Sequence, residues 1–322
     1  MTDLTQGYEL ISSLDLTFDS PARKKPPIKD TFRLAIVQDA WHGSIENQKG
    51  ALFECVEILN PLKPDLVVFQ ELTLNPYACT IPRTENTTWE PEDLINGETF
   101  NFGKDIAKNL RTNVVMSLYE KPDELDPQDA IGFNTAITIS SSGDLLMRTR
   151  KTHLPVTAGY YEDTYFSHGE DGTPITKIKD LNLGTPTCWD QWFPELARSY
   201  ALSGADLLTY PTAIGSEPDH PNFDTKDIWQ TSMRAHGIAN GLFVAAPNRI
   251  GVENGIKFYG SSFISDPYGR VLVQADSEAR SILISDLDLD QRRDWLELFP
   301  FFETRRPESY NVLTNELRNI QN

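Results

Sequence analysis

Cys188, in "LNLGTPTCWDQWFPELAR", stands between an apolar, strand-like run and residues that begin a helix. A cysteine there is either packing material or a nucleophile. Asp190 can cap a helix, and Pro194 and Glu195 suit its first turn. The spacing therefore predicts a helix N-terminus beside the thiol, where a thiolate is stabilised. Cys55, inside an amphipathic run, and Cys79, in a loop, lack this setting, and packing accounts for both. Two further residues share the placing of Cys188: Glu71 follows "DLVVFQ" and Lys151 follows "LLMRTR". All three sit at the carboxyl end of a predicted strand, the edge of an α/β sheet where ligand sites gather. Taken singly, a strand-end lysine is ordinarily a solvated terminus, and a carboxylate there is ordinarily at the rim in water. Taken together they supply a nucleophile, a base and a cation for an oxyanion.

Those strands must be brought together by the rest of the chain. "FRLAIVQDA" reads as a buried strand, "SIENQKGALFECVEILN" as a helix capped by Ser44 with Leu52, Phe53, Val56 and Leu59 on one face, and "KPDLVVFQE" as a strand covered on both sides. Strand, helix, strand opens an α/β pattern. "NVVMSLYE", "FNTAITIS" and "LLMRTRK" follow as strands, then the strand before Cys188, a helix from Glu195 to Leu202, and the strand "ADLLTYP". "DTKDIWQTSMRAHGIANG" is a helix ending at glycine, and "LFVAAPN", "SSFISDP", "RVLVQAD" and "SILISDLD" complete the strands. Residues 1–30, with "DSPARKKPPIKD", read as an irregular N-terminal arm on the surface. Residues 31–322 read as a single α/β domain with mixed sheets, outer helices and a C-terminal extension from about residue 290.

Composition narrows the function classes. The chain has 322 residues, a net charge of −18 and three cysteines at wide spacing. The charge argues against nucleic acid and anionic membrane as partners. It serves solubility, and it tolerates a cationic substrate. An odd cysteine count does not make a disulfide framework, so a reducing cytoplasm is the simplest location. The five histidines His42, His153, His168, His220 and His236 show no metal-ligand spacing, and no glycine-rich phosphate loop is present, so neither a metal nor a cofactor is expected. His153 and His236 read as structural. Asn134, Tyr77 and Trp229 either line the site or fill strand ends and core.

"QEL" around Glu71, "RKTHLP" around Lys151 and "CWDQWFPE" around Cys188 resemble the Glu-Lys-Cys motifs of the nitrilase, or carbon–nitrogen hydrolase, superfamily, in the same order, over residues 32–312 or so. The resemblance implies a four-layer α-β-β-α sandwich, a homo-oligomer (a dimer or larger) and metal-free hydrolysis of a non-peptide C–N bond. It makes Glu71 the general base, Lys151 the oxyanion stabiliser and Cys188 the nucleophile. It adds Glu162, in "GYYED", as a second glutamate and the Trp189 N–H as an oxyanion partner. "YPTAIGSEP", "NRIG", "FYGSSF" and "RRPESY" resemble the branch acting on N-carbamoyl amines such as N-carbamoylputrescine. Relatives that act on N-carbamoyl amino acids carry arginine soon after the nucleophile, where this chain has Gln191 and Trp192. "TAIGSEPDH" instead offers Glu217, either a surface charge or an acceptor for a substrate ammonium. A related amidase for an N-carbamoyl amino acid or simple amide, and a silent interaction module, are the competing readings.

Overall fold

Along the strand Phe32–Gln38, alternate side chains enter two different cores. Ala35 and Val37 face one, while Phe32, Leu34 and Ile36 face another. A strand covered on both faces reads as a continuous apolar run. The computed structural model, which describes residues 7–315, explains this by stacking two sheets. The first has seven strands in the order Glu9–Ser12, Ser281–Leu287, Phe32–Gln38, Leu66–Val68, Asn113–Glu120, Phe133–Ile139 and Leu145–Arg150. The second has six, in the order Val271–Gln274, Phe263–Ser265, Phe243–Ala246, Leu207–Thr209, Leu181–Gly184 and Thr176–Ile178.

Three cores separate four layers. Helices α1 (Ile45–Leu59) and α2 (Glu98–Leu110) cover the first sheet through Leu52, Leu59, Ile106 and Val67. The inner faces of the two sheets meet through Leu34, Ile36, Val68, Leu183, Leu207 and Phe243, among others. Helices α3 (Pro194–Leu202) and α4 (Lys226–Asn240) cover the second sheet through Tyr200, Trp229, Met233 and Val244. This is the four-layer α-β-β-α sandwich. Trp229 belongs to the outer core, not to a ligand pocket.

Several local expectations hold and several need correction. The Ser44 side chain accepts from the Asn47 N–H and starts α1, and α4 ends at Gly241 with φ +62°. Phe53, expected on the buried face of α1, is exposed, and Cys55 takes the core position instead. The arm is not wholly irregular: Glu9–Ser12 pairs in parallel with Ser281–Leu287 as the edge of the first sheet. Residues 1–6 of that arm, and 316–322 of the C-terminal extension, lie outside the described residues. The extension opens with a helix, α5 (Asp290–Leu298), and continues irregularly. Elements beyond the sequence reading include α2, the strand Thr176–Ile178, the short pair Val156–Thr157 with Tyr160–Tyr161, and the hairpin Ile250–Glu253 with Ile256–Tyr259.

Candidate active site

The central strands of each sheet run parallel, with Leu34, Leu66 and Asn113 in register in one and Leu183, Leu207 and Phe243 in the other. Strands ending at this edge, the central Leu66–Val68 and Leu181–Gly184 and the outer Leu145–Arg150, deliver the three expected residues to one place. Lys151 directly follows the strand Leu145–Arg150, Glu71 comes three residues after Leu66–Val68, and Cys188 four residues after Leu181–Gly184. Asn134 lies at the start of the antiparallel strand Phe133–Ile139, and so enters from the same edge.

The side chains meet in a buried ionic cluster. The Lys151 ammonium donates to Glu71 Oε1 and to both oxygens of Glu162, each at 2.8 Å. Asn134 Nδ2 donates to Glu71 Oε1 at 2.7 Å, and the Tyr77 hydroxyl to Glu162 Oε1 at 2.6 Å. Glu71 and Glu162 are 0% exposed and Lys151 1%, so each charge depends on these bonds, and Asn134 is 0% exposed beside them. Glu71 Oε2 alone has no partner, leaving one carboxylate oxygen able to take a proton. Tyr77 and Asn134 therefore belong to the site through its carboxylates, and no contact of theirs needs a substrate.

Electrostatics follow from two carboxylates and one ammonium, all buried. Burial opposes the Lys151 charge, but Glu162 and Glu71 outweigh it and hold the amine protonated well above the ordinary lysine range. Burial, with the Glu71 charge, pushes the Glu162 carboxyl up to about 7 against the pull of Lys151. Burial and the Glu71 and Glu162 charges also raise the Cys188 thiol well above its ordinary value. This overturns the expectation of a stabilised thiolate. Cys188 opens a short 3₁₀ helix, Cys188–Trp192, and α3 begins only at Pro194. Asp190 does not cap α3: its carboxylate accepts from the N–H of Thr187 and His153, at 3.1 and 2.9 Å, and faces His153 Nδ1 at 2.8 Å. His153, stacked on Phe193, is structural, as is His236 against the Gln191 carbonyl. The thiol is thus neutral at rest, and any attack must transfer its proton as sulfur bonds.

Backbone strain marks the same spot. Cys188 has φ +40° and Leu72, beside Glu71, has φ +48°, in the left-handed region that costs about 1–3 kcal/mol for such residues. Trp189 lies in the first turn of the 3₁₀ helix, where N–H groups lack helical partners. Farther out, a cavity of about 590 Å³ is lined by Thr157, Glu217, Asp219, His220 and Phe223, among others. Glu217 is half-buried, and burial raises its carboxyl pKa, with His220 and Thr225 opposing. Tyr160 links the two regions: its hydroxyl takes the Gly215 N–H at 3.0 Å, and burial, with the charges of Glu217 and Glu71, raises its pKa. Two buried residues missed in the sequence, Asn248 and Arg249, also reach the site (below). Their signal was the one that picked out Glu71, polar groups at the end of an apolar strand, "LFVAAPNR".

Comparison with known proteins shows the family. The carbon–nitrogen hydrolase family model matches residues 34–297. An N-carbamoylputrescine amidase of Arabidopsis thaliana is 35% identical over 257 residues, 77% of this chain and 84% of that protein. A citrullinase of Francisella tularensis is 37% identical over 226 residues, 66% of this chain and 79% of that protein. The crystal structure of a carbon–nitrogen hydrolase from Helicobacter pylori superposes with a TM-score of 0.82 at 31% identity, over 90% of this chain and 100% of that one. The chain is an enzyme of the carbon–nitrogen hydrolase family, in the nitrilase superfamily.

Proposed function

We propose that this enzyme hydrolyses the ureido group of N-carbamoyl amines, with N-carbamoylputrescine as the substrate its pocket suits best. The observation carrying the reading is the buried Lys151–Glu71 pair, with Glu71 Oε2 unpartnered in the surroundings of a neutral Cys188 thiol. Cys188 Sγ attacks the ureido carbon as its proton passes to Glu71 Oε2. Lys151 and the Trp189 N–H take up the oxyanion. Collapse expels ammonia, which Glu71 protonates, and leaves a thiocarbamate on sulfur. Water, deprotonated by Glu71, adds to that carbonyl, and the thiolate departs and regains its proton. The released carbamic acid loses carbon dioxide, so the products are putrescine, ammonia and carbon dioxide. Glu162, fixed by Tyr77, and Asn134 hold Lys151 and Glu71 in place. Glu217, half-buried in the outer cavity, takes the ammonium at the far end.

On this reading the enzyme works in polyamine formation. Three free cysteines suit a reducing cytoplasm, and the same reading makes the enzyme a homo-oligomer. Among the described residues no helix is long and apolar enough to cross a membrane.

A second reading draws on the citrullinase relative. A ureido amino acid carries both an ammonium and a carboxylate at its far end, and His220 lines the same cavity as Glu217. Ammonia release is measured in parallel from N-carbamoylputrescine, L-citrulline and N-carbamoyl-β-alanine, with Cys188→Ala as the blank. Preference for N-carbamoylputrescine, abolished in the blank, is the expected result. Preference for citrulline moves the assignment to amino acids. Robust turnover by Cys188→Ala sinks the thiol mechanism.

A further inference from the structure

The base and the nucleophile come from different sheets, Glu71 from the first and Cys188 from the second. Neither sheet's own ladder fixes one relative to the other. A proton transfer needs that distance held, so some element must span the gap. Two consecutive buried residues do so.

Arg249 is 1% exposed and directs its guanidinium at the Glu71 loop. Its Nη2 donates to the carbonyls of Glu71, Leu72 and Asn75 at 3.0, 3.1 and 2.9 Å. Its Nη1 donates to Glu253 Oε1 at 2.8 Å. Glu253 in turn accepts the Tyr77 N–H at 2.8 Å, and the Tyr77 hydroxyl holds Glu162. The three carbonyls converge because the chain turns sharply at Leu72, with φ +48°. A guanidinium answers such a convergence with a planar, permanently charged fork.

Asn248 is 0% exposed and grips the loop around the nucleophile. Its Oδ1 accepts the Ile214 N–H at 3.0 Å, and its Nδ2 donates to the Ile214 and Gly260 carbonyls at 3.1 and 2.9 Å. That loop carries Pro211, whose carbonyl takes the Cys188 N–H at 2.9 Å. It also carries Ala213, whose N–H is directed at the Cys188 sulfur. Asn248 Oδ1 accepts the Arg249 N–H as well, at 2.8 Å, closing the unit on itself.

We infer that Asn248 and Arg249 are positioning residues that set the distance between base and nucleophile, Arg249 fixing the Glu71 loop and Asn248 fixing the loop that cradles Cys188. The inference rests on the roles proposed for Cys188 and Glu71, but not on any substrate. Misplacement by about 1 Å costs such a pair roughly 10²-fold in rate.

Arg249→Lys and Asn248→Asp are compared with wild type. The readouts are kcat and KM on whichever amide or ureido substrate the wild type turns over, the rate of Cys188 labelling by iodoacetamide, and Tm. Arg249→Lys keeps the charge without the fork. Its kcat is expected to fall about 10- to 100-fold with KM within about threefold, and Cys188 labelling to slow by a similar factor. Ile106→Ala, a cavity in the outer helical layer, is the stability control: Tm falls while kcat and labelling stay within about twofold. The inference is overturned by a folded Arg249→Lys with wild-type kcat and labelling. It is equally overturned if Ile106→Ala at the same loss of Tm reproduces the defect. Should Arg249→Lys not fold, Asn248→Asp carries the same expectation and the same refutation. Labelling needs no substrate, so failure of the substrate assignment leaves this test standing.

Discussion

At the scale of single residues, the site combines a thiol that stays neutral with a carboxylate oxygen left free to accept its proton. That pairing predicts how Cys188 reacts with iodoacetamide. Free thiolate is scarce, and although the Glu71 charge itself raises the thiol, Glu71 is the proposed acceptor of its proton; where transfer to Glu71 limits the reaction, Glu71→Gln should slow labelling at least tenfold near neutral pH. Unchanged labelling would mean that Cys188 ionises without Glu71. Cys55 and Cys79, also buried and raised, should stay unlabelled in both proteins. Glu162 predicts a pH effect on stability. Its carboxyl moves from 4.5 to about 7 on folding, chiefly through burial. Between those values the folded state binds the extra proton, so this group's contribution to stability falls as pH rises through the window and is level above it. The full difference is about 3 kcal/mol. Glu162→Gln removes the titration. Relative to wild type the variant should therefore gain stability from pH 5 to pH 8 in urea melts, whatever it loses at pH 5 with the Lys151 contact. A difference that stays constant or shrinks with pH would contradict the shift.

At the scale of elements, the sequence is legible where periodicity and caps encode the structure. Glu71, Lys151 and Cys188 stand out because each comes at or just after the carboxyl end of a strand that the sequence pattern predicts. The function of Asn134 does not, since an asparagine that starts a strand looks the same whether or not a carboxylate waits beside it. The expectation of a stabilised thiolate fails because Asp190 has the chemistry of a cap, yet it serves Thr187 and His153 across a 3₁₀ turn. Helix α2 does carry a legible pattern, with Phe102, Ile106, Ala107 and Leu110 buried along one face of "ETFNFGKDIAKNL", and the sequence reading passes over it. The hairpin of Ile250–Tyr259 is hidden because its function is tertiary. It packs edge-on against the loop around Cys188, with Gly215 bridged to Phe258. A Cβ on Gly215 would stand 2.2 Å from the Lys257 carbonyl oxygen. Gly215→Ala must push the hairpin outward, and should cost about 1–3 kcal/mol in urea denaturation. It should also lower kcat, because Asn248 and Tyr160 both bind this loop. A variant as stable and active as wild type would show the loop can yield without consequence.

At the scale of the molecule, the N-terminal arm and the charge are the features that motifs do not explain. Residues 8–12 of the arm are part of the fold: Glu9–Ser12 joins the first sheet, and Tyr8 donates to a buried Asp39 that also takes Arg280 at 2.9 Å. The net charge of −18 has two readings, solubility alone or attraction of a cation. They differ in their response to salt. The Debye length shrinks from about 20 Å at about 0.02 M to about 4 Å at about 0.5 M, which removes attraction exerted at a distance and leaves contact with Glu217 less affected. If the acidic surface draws substrate in, kcat/KM for N-carbamoylputrescine should fall several-fold over that range, mostly through KM. For the uncharged analogue butylurea, which keeps the ureido group and the four-carbon chain, it should stay level. Equal, flat responses would assign the charge to solubility and leave Glu217 as the carboxylate proposed to hold the substrate ammonium. A fall for both compounds would contradict both readings, since the Lys151 contacts to Glu71 and Glu162 are too deeply buried for salt to screen and butylurea carries no charge for the surface to attract.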